Sequence, residues 1–167
     1  MNDDAAALPP PPVTSRSEFI AALRWGFEQA VAGPARRIVC VDADFADWPL
    51  DDLVLYSPLT AWLRMPQRRL VLLAAQFDTL PRRHPRFVAW RKLWSHAIEA
   101  WLPPEEMAAA LPTLLVDDAA VSVHLRDAVH WRGRAEFDRR SARSWQDQID
   151  AVLQRSEPAF AANPLGL

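Results

Sequence analysis

Two clusters of opposite charge carry most of the chemistry this chain can offer. Asp42, Asp44, Asp47, Asp51 and Asp52 follow one apolar run, and Arg82, Arg83, His84, Arg86, Arg91 and Lys92 follow the next. Grouped carboxylates hold hard cations such as Mg²⁺ or Ca²⁺ through oxygen. Guanidinium groups take phosphate or carboxylate in bidentate fashion. If the two runs are parallel neighbouring strands, both loops open at one sheet edge, where ligands of α/β sheets bind. The aspartates lack the spacing of an EF-hand loop, and helix caps or solvated charges are the competing use for them. The candidate ligand-binding residues are Asp42, Asp44, Asp78, Arg82, Arg83 and Arg86, with His124 and Arg126 further along. No residue is assigned a catalytic or metal-ligating role, and no cofactor is expected.

Other constellations are weaker. His84, His96, His124 and His130 form no i, i+4 pair, although His124, His130 and Asp127 come together if their loop folds back. Arg132, Arg134, Arg139, Arg140 and Arg143 bracket the start of the last helical segment. Glu136, Asp138 and Asp147 stand close by, so local ion pairing is the expected use of these arginines. With four glycines in the chain and no Gly-x-Ser-x-Gly, a nucleophile elbow has no support.

The elements that must position these residues follow from periodicity. Ser15 and Glu18 have capping-box spacing, and Phe19, Ile20, Leu23, Phe27 and Val31 then recur on one helical face until Gly33-Pro34. "RRIVCVD" (36–42) and "RLVLLAA" (69–75) read as buried strands. Ser57-Pro58 reads as cap and first turn of a short helix. "HPRFVAWRKLWSHAIEAW" (84–101) places Phe87, Trp90, Trp94, Ile98 and Trp101 at helical spacing. A helix to about residue 96 followed by a strand suits the alternation. The tryptophans are then core, with Arg91 and Lys92 exposed, rather than a stacking platform, which needs exposed rings beside a basic groove. "TLLVDDAAVSVHL" reads as a hairpin over 113–125, "RDAVHWRGRAEFD" as loop or irregular strand, and 139–155 as a closing helix.

The chain has 167 residues, enough for one domain. Residues 1–14, with four consecutive prolines from Pro9 to Pro12, are expected to be a disordered tail, 15–160 one α/β domain, and 161–167 a C-terminal tail. The formal charge of −2 disfavours nucleic acid as a partner. Eighteen of the nineteen basic residues are arginine, and Lys92 is the one lysine. Cys40 alone forms no internal disulfide and reads as a core thiol. With no apolar run of membrane length and no signal-peptide pattern, a cytoplasmic bacterial protein is expected.

The order of these elements resembles one half of the phospholipase D-like fold, on the segments "RRIVCVDADF", "RRLVLLAAQ" and "LPTLLVDDAAVSVHL". The stretch "RRSARSWQDQIDAVLQRSEPAF" is similar to the end of a proteobacterial domain family of that fold, sometimes attached to acetyltransferase-like domains. The resemblance implies a mixed, mostly parallel sheet of about five strands with helices on both faces and a hairpin in the second half. Active members carry His-x-Lys, four residues and Asp. Aligned on Asp117, the His and Lys positions hold Ala110 and Pro112; aligned on Asp118, they hold Leu111 and Thr113. The resemblance therefore implies a non-catalytic binding or interaction module, with a homodimer or a protein partner as its expected assembly. The alternative is an enzyme of phosphate- or metal-dependent chemistry built on the acidic cluster.

Overall fold

Ser15 caps helix α1 (Arg16–Ala32), its hydroxyl accepting the Glu18 N–H at 3.1 Å. Glu18 does not complete the box on Ser15; its carboxylate reaches back to the Thr14 N–H at 3.0 Å. These details come from a computed structural model that describes residues 8–160. The Pro-rich segment expected to be disordered is ordered in its described part. Pro12–Val13 form strand β1, Val13 is buried, and Trp25 Nε1 donates to the Leu8 carbonyl at 3.0 Å. Residues 1–7 and the expected tail 161–167 lie outside the described residues.

The remaining elements are β2 (Arg37–Asp42), α2 (Leu53–Leu63), β3 (Arg69–Ala74), α3 (Leu80–Arg83), α4 (Pro85–Leu93), β4 (Ile98–Leu102), α5 (Glu105–Ala108), β5 (Thr113–Asp117), β6 (Val121–Asp127), β7 (Arg132–Phe137), α6 (Arg139–Leu153) and β8 (Glu157–Pro158). They build one α/β domain on a sheet of order β1-β7-β6-β5-β2-β3-β4-β8. Only β2–β3 and β3–β4 pair in parallel. The pairs β1–β7, β2–β5, β4–β8, β5–β6 and β6–β7 are antiparallel. The sheet is therefore eight-stranded and mostly antiparallel, not five-stranded and mostly parallel. The expectation rested on uninterrupted apolar runs, which mark strands buried on both faces. β7 alternates charged and small residues, and β1 and β8 are two-residue edges, so none of the three has such a run.

Strand alternation sorts the core into two layers. Ile38, Cys40, Leu70, Leu72, Leu115, Val121 and Val123 face α1, α2 and α4, joined there by Phe19, Leu59, Trp62, Phe87 and Trp90. Val39, Val41, Val71, Leu73, Leu114 and Val116 face the other way, against Ala142 and Ile149 of α6. Burial pushes the Cys40 thiol far above its ordinary range, as befits an inert core residue.

Three local expectations change. α2 starts at Leu53, where Asp52 accepts the Val54 N–H at 3.0 Å, so Pro58 lies inside the helix instead of in its first turn. In α4, Trp90 is buried, stacked on Tyr56 at 5.3 Å and donating to Thr60 Oγ1 at 2.9 Å. Arg91, expected in solvent, is 4 % exposed, with its guanidinium over the Phe160 ring at 4.5 Å. The helix ends at Leu93, which leaves Trp94 half-buried at its cap. No helix among the described residues is long and apolar enough to cross a membrane.

Candidate functional site

The loops after β2 and β3 do meet at one sheet edge, and the aspartates there are consumed by the fold. Asp42 accepts the Thr113 hydroxyl at 2.6 Å and the Phe45 N–H at 2.8 Å. Burial pushes its carboxyl above the usual carboxylate range, and these bonds pull against that shift. Asp44 closes a turn on the Ala46 N–H at 3.0 Å. Asp51 caps α4 by accepting the Arg86 and Phe87 N–H groups at 2.8 and 3.0 Å. Asp47 and Asp52 pair with Arg16 and Arg24 of α1. The competing use of these acids as turns and caps is therefore the one the structure contains. No group of three or more His, Cys, Asp or Glu converges to metal-binding distance among the described residues.

Of the bases after β3, Arg83 Nη2 donates to the Ala46 carbonyl at 3.1 Å, which ties the two loops together. Arg82 and the Arg86 side chain are exposed. Asp78 lies at the mouth of another cleft beside Phe77 and Phe160, whose rings stack at 5.3 Å. These candidates do not form one site.

His124 and Arg126 are brought together. Both lie on β6, with Arg134 and Glu136 of β7 and Trp145 of α6, around a cleft of about 210 Å³. The register pairs His124 with Arg134, and a bulge between Leu125 and Asp127 re-aims the strand beside Arg126. The His124 ring lies 4.4 Å from the Trp145 indole. Burial pulls the His124 pKa down and Arg126 adds to the shift, which favours the neutral imidazole. Gly133 is required here: a Cβ would stand 2.3 Å from the His124 carbonyl oxygen. His130 does not approach His124; it pairs with Asp127 in the exposed β6–β7 turn at 2.8 Å.

α6 packs on β5 and β6 and leaves the outward side chains of β7 exposed. Five arginines fall between residues 132 and 143, Arg132 and Arg134 on β7 and Arg139, Arg140 and Arg143 at the start of α6, and the ion pairing expected for them is mostly absent. Arg134 meets Glu136 at 2.8 Å, but Arg132, Arg139, Arg140 and Arg143 have no carboxylate partner among the described residues. Asp138 instead caps α6 through the Ser141 N–H at 2.9 Å. Trp145 was absent from the sequence candidates, and these arginines were read as local ion pairs. The readable signal was a helix start with arginines where acids are favoured.

No family model matches this chain, and no curated protein matches it. Among solved structures it is similar to TrmBL2, an archaeal chromatin protein whose structure shows a novel mode of DNA binding, at a TM-score of 0.54 and 11% identity. The likeness covers 84% of this chain and 51% of that one, so the chain spans about half the neighbour's length. At this identity the likeness is one of fold. It corrects the phospholipase D-like assignment, together with the proteobacterial family attached to it. That assignment rested on element order around the parallel pair β2–β3. The pair is present, but in a mostly antiparallel eight-stranded sheet.

Proposed function

We propose that the chain is a non-catalytic binding module whose ligand is nucleic acid, bound on the exposed β6–β7 surface beside α6. One observation carries the reading. In a chain of formal charge −2, Arg126, Arg132 and Arg134 stand on the exposed β6–β7 strands, and only Arg134 pairs with a carboxylate among the described residues. Overall charge is a poor guide when charge is segregated this way, because phosphate contacts depend on the local patch. Trp145 and the neutral His124 ring offer flat apolar surface beside Arg126 and Arg134, the combination that favours nucleotide contacts. TrmBL2, an archaeal chromatin protein with a similar fold, binds DNA, which makes a DNA duplex the first ligand to test. The rival reading, an enzyme built on the aspartates after β2, has no such support, since those carboxylates serve turns, caps and ion pairs.

The test is fluorescence anisotropy of a labelled DNA duplex titrated with the protein at several salt concentrations. Binding should weaken steeply with salt, and changing Arg126, Arg132 and Arg140 together to alanine should lower the log–log salt slope by about 2 to 3. Failure of wild type to bind either duplex or single strands at low salt would end the reading.

A further inference from the structure

A second cleft, of about 430 Å³, opens on the other flank of α6, and we propose that it is a phosphate-binding subsite. Arg36 enters from the segment before β2, and Arg139 and Arg143 enter from α6. Asp118, Ala119 and Gln146 complete most of the wall.

The fixed parts of this wall are already occupied. The backbone N–H groups of Arg36 and Arg37 both donate to Asp118 Oδ1, at 2.8 and 3.2 Å. Arg36 Nη1 donates to Gln67 Oε1 at 3.0 Å, which holds that guanidinium in place. The Gln146 amide donates to the Asp117 carbonyl. Arg139 and Arg143 make no hydrogen bond or ion pair with any described side chain. Three arginines therefore line the cleft with one carboxylate, and two of those arginines have no partner among the described residues.

This arrangement costs stability in the empty protein. Arg139 and Arg143 are spaced i, i+4, where like charges repel. Both sit in the first turns of α6, at the positive end of the helix dipole, and that first turn contains no acid. Departures from local preference of this kind gather where function requires them. A tetrahedral oxyanion reverses every one of these terms. It takes forked N–H donors from several guanidinium groups, cancels their repulsion and complements the helix dipole. The ligand class is thus a phosphate group, whether in a nucleic-acid backbone or on a small phosphorylated molecule. The first source rests on the function proposed above, and the subsite itself does not.

The test uses the full chain, sodium pyrophosphate and a short labelled DNA duplex. The variant is Arg139→Ala with Arg143→Ala, and Arg64→Ala, an exposed arginine elsewhere, is the control. Pyrophosphate should raise the melting temperature of wild type and of the control, and not that of the double variant. The double variant should bind duplex about tenfold more weakly, with a salt slope lower by about 1, the value for one lost phosphate contact. Without ligand it should melt no lower than wild type; if it does melt lower, Arg143→Gln alone takes its place. Pyrophosphate binding without duplex binding would keep the subsite, assign it to a small phosphorylated ligand and remove the nucleic-acid reading. Pyrophosphate that wild type ignores, or that both proteins bind equally, with duplex binding unchanged in the double variant, would overturn the subsite and leave that reading intact.

Discussion

His84 Nε2 lies 2.8 Å from the carbonyl oxygen of Phe45, across the gap between the loops that follow β2 and β3. Both residues are buried, and Phe45 has a positive φ of 61°, a conformation unfavourable for a residue with a large side chain. The imidazole thus adds a second hydrogen bond to a carbonyl that already accepts the Trp48 N–H at 3.2 Å, and links the two loops. His84→Ala should cost about 2–4 kcal/mol, the sum of that lost bond and the cavity left behind. Urea denaturation measures it, and a loss below about 0.5 kcal/mol would show that the loops hold without this link.

His124 should titrate below the ordinary imidazole range in an NMR pH titration. Burial is the larger cause and Arg126 the smaller, so Arg126→Ala should move the pKa only part of the way back. The sign for stability follows from the lowered pKa. The unfolded chain takes up its proton first, so this group's contribution is complete above the unfolded-state pKa and is lost as pH falls toward the folded one. A phosphate ligand favours the protonated ring, so bound duplex should raise the His124 pKa. A His124 pKa that Arg126→Ala leaves unmoved would contradict the geometry of the cleft.

Arg91→Met should match or exceed wild-type stability. The guanidinium is buried, its Nε has no hydrogen-bond partner, and burial pulls its pKa down. Methionine keeps the length and the contact with Phe160 while removing the desolvated charge. A melting temperature several degrees below wild type would mean that the cation–π contact outweighs desolvation.

Gly133→Ala should destabilise the protein by about 1–3 kcal/mol, because the new methyl meets the His124 backbone and not the yielding end of a side chain. The effect should be local: the β6–β7 amide protons should lose hydrogen-exchange protection while those of β2 and β3 keep theirs. Uniform loss across the sheet would show that β7 does not open independently.

The sequence exposed some of this readily and hid the rest for physical reasons. β2, β3 and β5 are legible because both faces of those strands are apolar, β6 because Val121, Val123 and Leu125 alternate with polar residues, and α1 and α6 because their buried positions recur at helical spacing. β7 is hidden because one of its faces is solvent and the other offers only Gly133 and Ala135. α2 is hidden because Leu53 and Val54 are exposed at its start, where periodicity would bury them, and only Asp52 marks the cap. Arg91 misled because its position in the chain says nothing of Phe160, nearly seventy residues on, which covers it. The site behaved alike. The five arginines were visible, but how many of the neighbouring acids would be spent elsewhere, Asp138 on a helix cap above all, depends on three-dimensional partners.

The sheet ends on a proline at each side, Pro12 in β1 and Pro158 in β8. A proline offers no N–H to a newcomer strand, and two-residue edges give an incoming chain almost nothing to zip along. The described sheet is therefore a ribbon with both hems sewn. Copies of this protein that associate are thereby steered toward helices or the exposed β6–β7 face and away from fusing their sheets. Concentrating many copies along a polyanion would then crowd them without seeding a continuous β-structure.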